Sequence, residues 1–171
     1  FTDAFLVSGR ELTNADASGK QLFLHFDHLA IRIYLGIYGK CRFVSGLVAE
    51  VTGQVRARFK VPGMTADLRG PTACEVIDRS GVKAVQSKLG PDPLRPDRKG
   101  SERERFIDRL TSRKTAVGQQ LMDQSVVAGI GNVYRAELLF RAALNPHTPG
   151  STLPRELAEG LWQDSLQLMP I

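Results

Sequence analysis

Apolar residues alternate with polar ones through the first part of the chain and recur every three or four positions through the second. Leu22-Phe23-Leu24-His25-Phe26 and Leu29-Ala30-Ile31-Arg32-Ile33-Tyr34-Leu35 flank Asp27-His28, and the second run sets Leu29, Ile31, Ile33 and Leu35 against Ala30, Arg32 and Tyr34. Alternation of that length predicts a hairpin with one buried face. Further short strands are expected over 40–44, 47–51, 55–59 and 64–68, with Gly and Pro among the residues between them. In Gln54-Val55-Arg56-Ala57-Arg58-Phe59 the two arginines share the face opposite Val55, Ala57 and Phe59. Several antiparallel strands separated by such turns predict a sandwich or barrel.

The period changes after Arg69-Gly70-Pro71. Ser80 is placed to cap a helix carrying Val82, Val85 and Leu89 and closed by Gly90-Pro91. Asp92-Pro93-Leu94-Arg95-Pro96-Asp97 reads as a stiff linker. Ser101 and Glu104 have the spacing of a capping box ahead of Phe106, Ile107 and Leu110. A third helix is expected over about 115–127 and a fourth over about 132–142. A fifth follows Asn145-Pro146-His147-Thr148-Pro149-Gly150 and bears Leu157, Leu161, Trp162 and Leu168. The expected division is a strand domain over 1–75, a helix and linker over 76–100, and a helical domain over 101–171.

Composition narrows the partners. The chain has 171 residues, and Lys plus Arg number 23 against 18 acidic residues, a net +5 that permits an anionic partner without requiring one. Cys41 and Cys74 match no metal-ligand spacing and read as reduced, buried small residues of an intracellular protein. His25, His28 and His147 are too scattered for a zinc site within this chain. No uninterrupted apolar stretch reaches the roughly 20 residues that span a bilayer, so no membrane partner and a cytoplasmic location are expected.

Gly129-Ile130-Gly131-Asn132 interrupts the helical pattern. Glycines there allow a positive φ or a close backbone approach, and the first amides of the following helix lack intrahelical acceptors, so a phosphate fits with Asn132 as donor and Tyr134 or Arg135 nearby. An ordinary helical corner capped by Asn132 fits the same letters. Arg109, Arg113 and Lys114 read either as a solvated helix face or, with Arg56, Arg58 and Arg69, as the lining of one groove. Ile37-Tyr38 between Gly36 and Gly39 reads as a rigid tip able to enter a base stack, or as a turn cap. Lys20 after Ser18-Gly19 is a solvated turn lysine or one aimed into a cleft for phosphate or acid-base work.

Taken together, these segments resemble the bacterial formamidopyrimidine-DNA glycosylase and endonuclease VIII family, nearest to the actinobacterial second endonuclease VIII type. Leu121-Met122-Asp123-Gln124 through Gly129-Ile130-Gly131-Asn132-Val133-Tyr134-Arg135-Ala136-Glu137 is similar to its helix-two-turn-helix signature. Gly19-Lys20, Leu35 to Gly39, Asp67 to Thr72 with Cys74-Glu75, and Leu89 to Leu94 follow in the family's order. The resemblance implies two domains: an antiparallel β-sandwich, incomplete at its N-terminus, followed by an all-α helix-two-turn-helix domain. It implies an enzyme that flips out and excises an oxidised base, pyrimidines being the expected substrates, and cleaves through an amine Schiff base with β/δ-elimination. Lys20 and Glu137 would take catalytic or supporting roles. Asn132, Ile37, Tyr38, Arg69, Lys114 and Arg135 would contact DNA. The family's nucleophilic Pro-Glu helix and its C-terminal zinc finger are expected outside these residues, so zinc is not expected within them. The expected partner is double-stranded DNA with oxidised or abasic lesions, bound by a monomer at the bacterial nucleoid. A non-catalytic damaged-DNA-binding paralogue or fragment is the alternative, and a protein or RNA contact module, as in ribosomal proteins with this motif, is a third.

Overall fold

The computed structural model describes residues 2–46, 50–97 and 99–170. Residues divide into two compact units, 1–84 and 85–171. Among its described residues the first holds seven strands: β1 (Asn14–Ser18), β2 (Gln21–Phe26), β3 (Leu29–Tyr34), β4 (Lys40–Ser45), β5 (Ala57–Val61), β6 (Met64–Arg69) and β7 (Ala73–Asp78). They form a four-stranded sheet ordered β1-β2-β3-β7 and a three-stranded sheet ordered β4-β6-β5. Every pairing is antiparallel.

Register follows from the alternation. Leu24 pairs with Ile31 and Leu22 with Ile33, so the apolar members of both strands share one face. That face meets the other sheet: Ile31, Ile33 and Cys74 are buried in one cluster with Leu68, Ala57 and Phe59. Two sheets closed on a shared apolar layer are a sandwich, and each fully buried aliphatic side chain in it contributes roughly 1.5–3 kcal/mol. The other face of the four-stranded sheet carries buried Phe23 and Ala30 beside a polar row. Arg32 Nη1 donates to Glu75 at 2.6 Å and its Nε to Gln21 Oε1 at 2.9 Å.

Several expectations change here. The strand expected over 55–59 runs instead from Ala57 to Val61, and the one expected over 47–51 falls partly on residues 47–49, outside the described residues. β7 went unread, because Ala73-Cys74-Glu75-Val76 gains its strand character from pairing with β3 and not from its own alternation. Cys74 is buried as expected, but Cys41 is exposed on edge strand β4.

The second unit is helical. α1 (Arg79–Ser87) spans the division, and α2 (Ser101–Thr111), α3 (Val117–Gln120), α4 (Asn132–Arg141) and α5 (Arg155–Leu168) follow. Phe106, Ile107 and Leu110 of α2 and Leu161 and Trp162 of α5 are buried with Val117, Leu121, Val126, Ile130 and Leu138 in one core. The Phe106 and Trp162 rings lie 5.4 Å apart, within the range of favourable aromatic contact.

The helix starts differ from the sequence reading. Asp78 Oδ1, not Ser80, accepts from the Gly81 amide at 2.7 Å, with Ser80 Oγ donating to the same oxygen. At α2 the two carboxylate oxygens of Asp97 accept from the amides of Glu102 and Arg103, at 3.2 and 2.9 Å. The capping box is not formed, since Glu104 pairs with Arg103 and Arg155 instead. An aspartate just upstream reaches the free amides in both cases. The third helix shrinks to Val117–Gln120 because Asp123 closes a tight turn: its Oδ1 accepts from the Ser125 amide at 2.8 Å and from Ser125 Oγ at 2.7 Å.

Candidate nucleic-acid interface

Gly19 and Lys20 form the two-residue turn between β1 and β2, closed by the Ser18 to Gln21 pair. Gly19 has φ 54°, a conformation glycine adopts without steric cost. Ser18 and Gln21 are buried, whereas Lys20 is half-buried. Partial burial pushes the Lys20 ammonium below the usual lysine range, which raises the fraction of neutral, nucleophilic amine near neutral pH.

The tip over 35–39 joins β3 of one sheet to β4 of the other. Gly36 has φ 66°, and the Gly39 amide donates to Leu35 O at 3.0 Å, closing a compact loop. Ile37 and Tyr38 are left 89% and 82% exposed at its apex. An aliphatic and an aromatic side chain so exposed on a closed turn are apolar surface held without a partner.

Arg69 takes a different place. Its Nη1 donates to Thr52 O at 2.7 Å and to Gln54 O at 3.4 Å, and its Nη2 lies 3.4 Å from Asp67 Oδ2. Arg58 grips the same carboxylate with two bonds of 2.5 and 2.7 Å. Hydrogen bonding from Arg58 and the nearby charge of Arg69 hold Asp67 below the usual carboxylate range. Arg69 therefore ties the 52–54 segment to the sheet, while Arg58 holds Asp67 in place.

In the helical unit, the two glycines of the interrupted pattern do different things. Gly129 takes φ 90°, and Gly131 is extended ahead of α4. Between them Ile130 is completely buried, plugging the core. Gln124 fastens the turn: its Oε1 accepts from the Gly129 amide at 2.9 Å, and its Nε2 donates to Ile130 O at 3.1 Å. Further bonds hold the approach, with Arg109 Nη1 donating to Ser125 O and Arg113 pairing with Asp123 at 3.1 Å. Of the expected basic helix face, only Arg109 lies on α2. Arg113 and Lys114 follow its end, and Lys114 is exposed without an ion pair among the described residues.

Asn132 is the first residue of α4, and the position ahead of it, Gly131, provides no side-chain cap. The Asn132 side chain is exposed, and its Oδ1 accepts from Arg135 Nη2 at 2.5 Å. With the oxygen engaged, the amide Nδ2 remains as a donor on an exposed residue. It stands beside the unpaired first-turn amides and the positive end of a ten-residue helix. Glu137 is exposed one turn further along α4, and its charge helps raise Arg141, whose main partner is Asp164.

Asn132, Arg135 and Glu137 are thus gathered on one helix of the second unit, while Lys20, Ile37, Tyr38 and Arg69 belong to the first. Gln124 and Thr72 were not singled out by sequence reasoning. Gln124 sat in plain view inside the motif, but its hydrogen bonds to the backbone five and six residues on left no periodic signal. Among the described residues no group of three or more His, Cys, Asp or Glu is placed to hold a metal ion, and no helix is long and apolar enough to cross a membrane.

A two-sheet sandwich followed by a helical unit whose glycine turn presents an asparagine at a helix start defines a helix-two-turn-helix protein. Residues 89–170 match the family described as the formamidopyrimidine-DNA glycosylase H2TH domain. The chain is 41% identical over 173 residues to Endonuclease 8 1 of Mycobacterium tuberculosis, an alignment covering 98% of this chain and 63% of that relative. It is 40% identical over 164 residues to the formamidopyrimidine-DNA glycosylase of Herpetosiphon aurantiacus, covering 90% and 57%. Among solved structures, Lactococcus lactis formamidopyrimidine-DNA glycosylase bound non-covalently to DNA containing an AP site aligns with TM-score 0.81 at 21% identity, over 95% of this chain and 63% of that one. MutM in complex with DNA containing carbocyclic 8-oxo-G aligns with TM-score 0.82 at 22% identity, covering 96% and 63%. Residues 89–170 belong to the formamidopyrimidine-DNA glycosylase H2TH domain family, and the chain as a whole is similar to endonuclease VIII and formamidopyrimidine-DNA glycosylase relatives. It spans 63% of the length of the mycobacterial relative.

Proposed function

We propose that the full-length protein is a DNA-repair glycosylase with abasic-site lyase activity, acting on oxidised bases, pyrimidines foremost, in double-stranded DNA. The observation that carries this reading is the α4 turn, where exposed Asn132 accepts from Arg135 at the positive end of the helix. Such a site suits a backbone phosphate, and phosphate contacts fix register on a duplex without reading sequence. Arg135 and Lys114 add positive charge on the same unit. Ile37 and Tyr38 supply the apolar surface that enters the gap left by an extruded nucleotide, whose flipping costs a few kcal/mol of lost stacking and pairing.

The chemistry needs a neutral amine. It attacks C1′ of the damaged nucleotide while the glycosidic bond breaks, and the departing base carries off the electron pair and takes up a proton. The attached amine gives up its proton and the sugar ring opens at C1′–O4′, with O4′ taking up a proton, to leave an iminium; this acidifies the C2′ proton, whose removal expels the 3′-phosphate, and a second elimination expels the 5′-phosphate. The principal nucleophile is not assigned to a residue of this chain. Lys20, at the two-residue turn between β1 and β2, supports the reaction by contacting phosphate near the lesion through its ammonium form. Glu137 takes a supporting role on α4. Arg69 is the weakest of the proposed DNA contacts, because its guanidinium already serves Thr52, Gln54 and Asp67. A monomer in the bacterial cytoplasm, associated with the nucleoid, completes the reading, with zinc in a segment beyond these residues and no step routed through it.

Incubating the full-length protein with a lesion-bearing duplex under borohydride tests the proposal. The expected result is a covalent protein–DNA adduct and strand cleavage. Binding with neither adduct nor cleavage would replace the enzyme by a non-catalytic damaged-DNA-binding relative.

A further inference from the structure

The two connections that pass between the sheets of the sandwich run side by side. One is the 35–39 tip, from β3 to β4, and the other is 70–72, from β6 to β7. Ladder pairs lock them together at both ends: Tyr34 pairs with Ala73 on one side, and Lys40 pairs with Arg69 on the other. Between those locks the loops are in atomic contact. A Cβ built on Gly36 would lie 1.9 Å from Thr72 Oγ1 and 3.1 Å from Thr72 Cβ, so the threonine side chain occupies the space a side chain at 36 would need. A Cβ on Gly70 would lie 3.6 Å from Tyr38 O, so the backbone of the second loop lies against that of the tip. A Cβ on Gly39 would strike Leu35 O at 2.3 Å, so the tip itself closes only with glycine there.

We propose that the 70–72 connector is the backstop of the Ile37–Tyr38 tip, and that Thr72 is a positioning residue that sets how the two apolar side chains are presented to DNA. The inference rests on the reading of the tip as a wedge, and it assigns the rigidity of that wedge to a residue outside it. A tip fixed before binding loses little conformational entropy when it enters a gap, whereas a loose tip must be ordered at that moment. An intact duplex offers no gap, so the benefit appears only on DNA lacking a stacked base. Thr72 thereby acts on the ratio of affinities and not on general DNA binding.

The test measures affinity of the full-length protein for a duplex with a tetrahydrofuran abasic analogue and for the same duplex intact, by fluorescence anisotropy. Ile37→Ala with Tyr38→Ala is expected to lower the abasic-to-intact affinity ratio about tenfold, and no change in the ratio would sink the wedge reading itself. Given that loss, Thr72→Gly is expected to lower the ratio severalfold while the intact-duplex affinity stays the same, and Thr72→Ser is expected to restore it. Gly36→Ala is expected to lower the ratio through the positive φ at 36 as well as through collision with Thr72, and adding Thr72→Gly to it relieves the collision alone. A wild-type ratio in Thr72→Gly would overturn the backstop while leaving the wedge standing. Circular dichroism on Thr72→Gly and Thr72→Ser separates these outcomes from a folding defect.

Discussion

Replacing Gln120 by Glu changes no volume but inverts the hydrogen-bonding demand at the centre of the helical unit. Gln120 is 1% exposed, and its Nε2 donates to Leu110 O at 3.0 Å and to Thr115 O at 2.8 Å. Its Oε1 has no partner, so the carboxyl group of Gln120→Glu gains no new donor. In its neutral form the variant has one O–H and can serve one of the two carbonyls, losing about 1 kcal/mol for the other. In its ionised form it sets a carboxylate against two carbonyl oxygens, so the folded state keeps the proton. Keeping protonated at pH 7 a carboxyl whose unfolded pKa is about 4.3 costs about 3.7 kcal/mol at 1.36 kcal/mol per unit. The total is about 4–5 kcal/mol at pH 7 and about 1 kcal/mol near pH 4. The sign follows from linkage: the folded pKa is raised, the unfolded chain releases its proton first, and stability falls as pH rises above the unfolded value. Trp162 is the chain's single tryptophan and is buried in the same core, so urea unfolding followed by its fluorescence reports on this unit. Gln120→Met loses both donated bonds without gaining a charge and should be destabilised by an amount independent of pH. Equal losses for Gln120→Glu at pH 4.5 and pH 7 would refute the argument.

Asn132→Ala is expected to weaken binding to damaged and intact duplex alike, by about tenfold at low salt if one charge-assisted hydrogen bond of about 1.5 kcal/mol is lost; an unchanged affinity would count against the phosphate reading. Asp67, held low by Arg58 and Arg69, contributes stability above the ordinary carboxylate range that disappears as pH falls through its depressed folded value. Asp67→Asn should therefore flatten the acid limb of a stability–pH curve for the sandwich unit. Gly90→Ala is expected to cost about 1–3 kcal/mol, since its Cβ would meet the Val126 carbonyl at 2.5 Å. Gly160→Ala meets nothing within 4 Å inside α5 and should stabilise by about 0.5–1 kcal/mol, which thermal unfolding of the pair would show. Ile130→Ala is expected to cost about 2–5 kcal/mol while Ile37→Ala stays within about 0.5 kcal/mol of wild type, again checked by denaturant titration.

What could be read from the letters and what could not differ by the range of the forces involved. β2, β3, β4 and β6, together with α4 and α5, announce themselves because their apolar residues repeat at the period of the element. α3 does not extend to 127, and neither α1 nor α2 starts on its expected cap, because Asp123, Asp78 and Asp97 fold back onto nearby amides. A carboxylate two to six residues from its target leaves no period to detect. At the candidate interface, Lys20, Ile37, Tyr38 and Asn132 stood out by their glycine neighbours, and all but half-buried Lys20 prove exposed. Arg69 stood out by charge alone, and charge says nothing of what a guanidinium touches. Its partners are backbone carbonyls at 52 and 54, which carry no sequence signature.

The pairing of Gly36-Ile37 with Gly129-Ile130 sharpens the point, because the same two letters lead to opposite fates. Ile37 is 89% exposed and Ile130 is fully buried, although in each case the glycine takes a positive φ. The backbone conformation is common to both, so it cannot decide which way the isoleucine goes. What differs is the acceptor and donor set around the turn. The 35–39 loop satisfies itself through Gly39 and Leu35, leaving its apex to point outward, with Thr72 filling the space behind Gly36. The 129–131 turn is pinned from inside by Gln124, which takes the Gly129 amide and serves the Ile130 carbonyl. That pinning draws Ile130 into the core, and the next residue that can face outward is Asn132 at the head of α4. An exposed asparagine at one turn and an exposed apolar pair at the other therefore arise from where each loop finds its hydrogen bonds. Substitution of Gln124 or Thr72 should disturb presentation at its own turn before it disturbs the residues that would touch DNA.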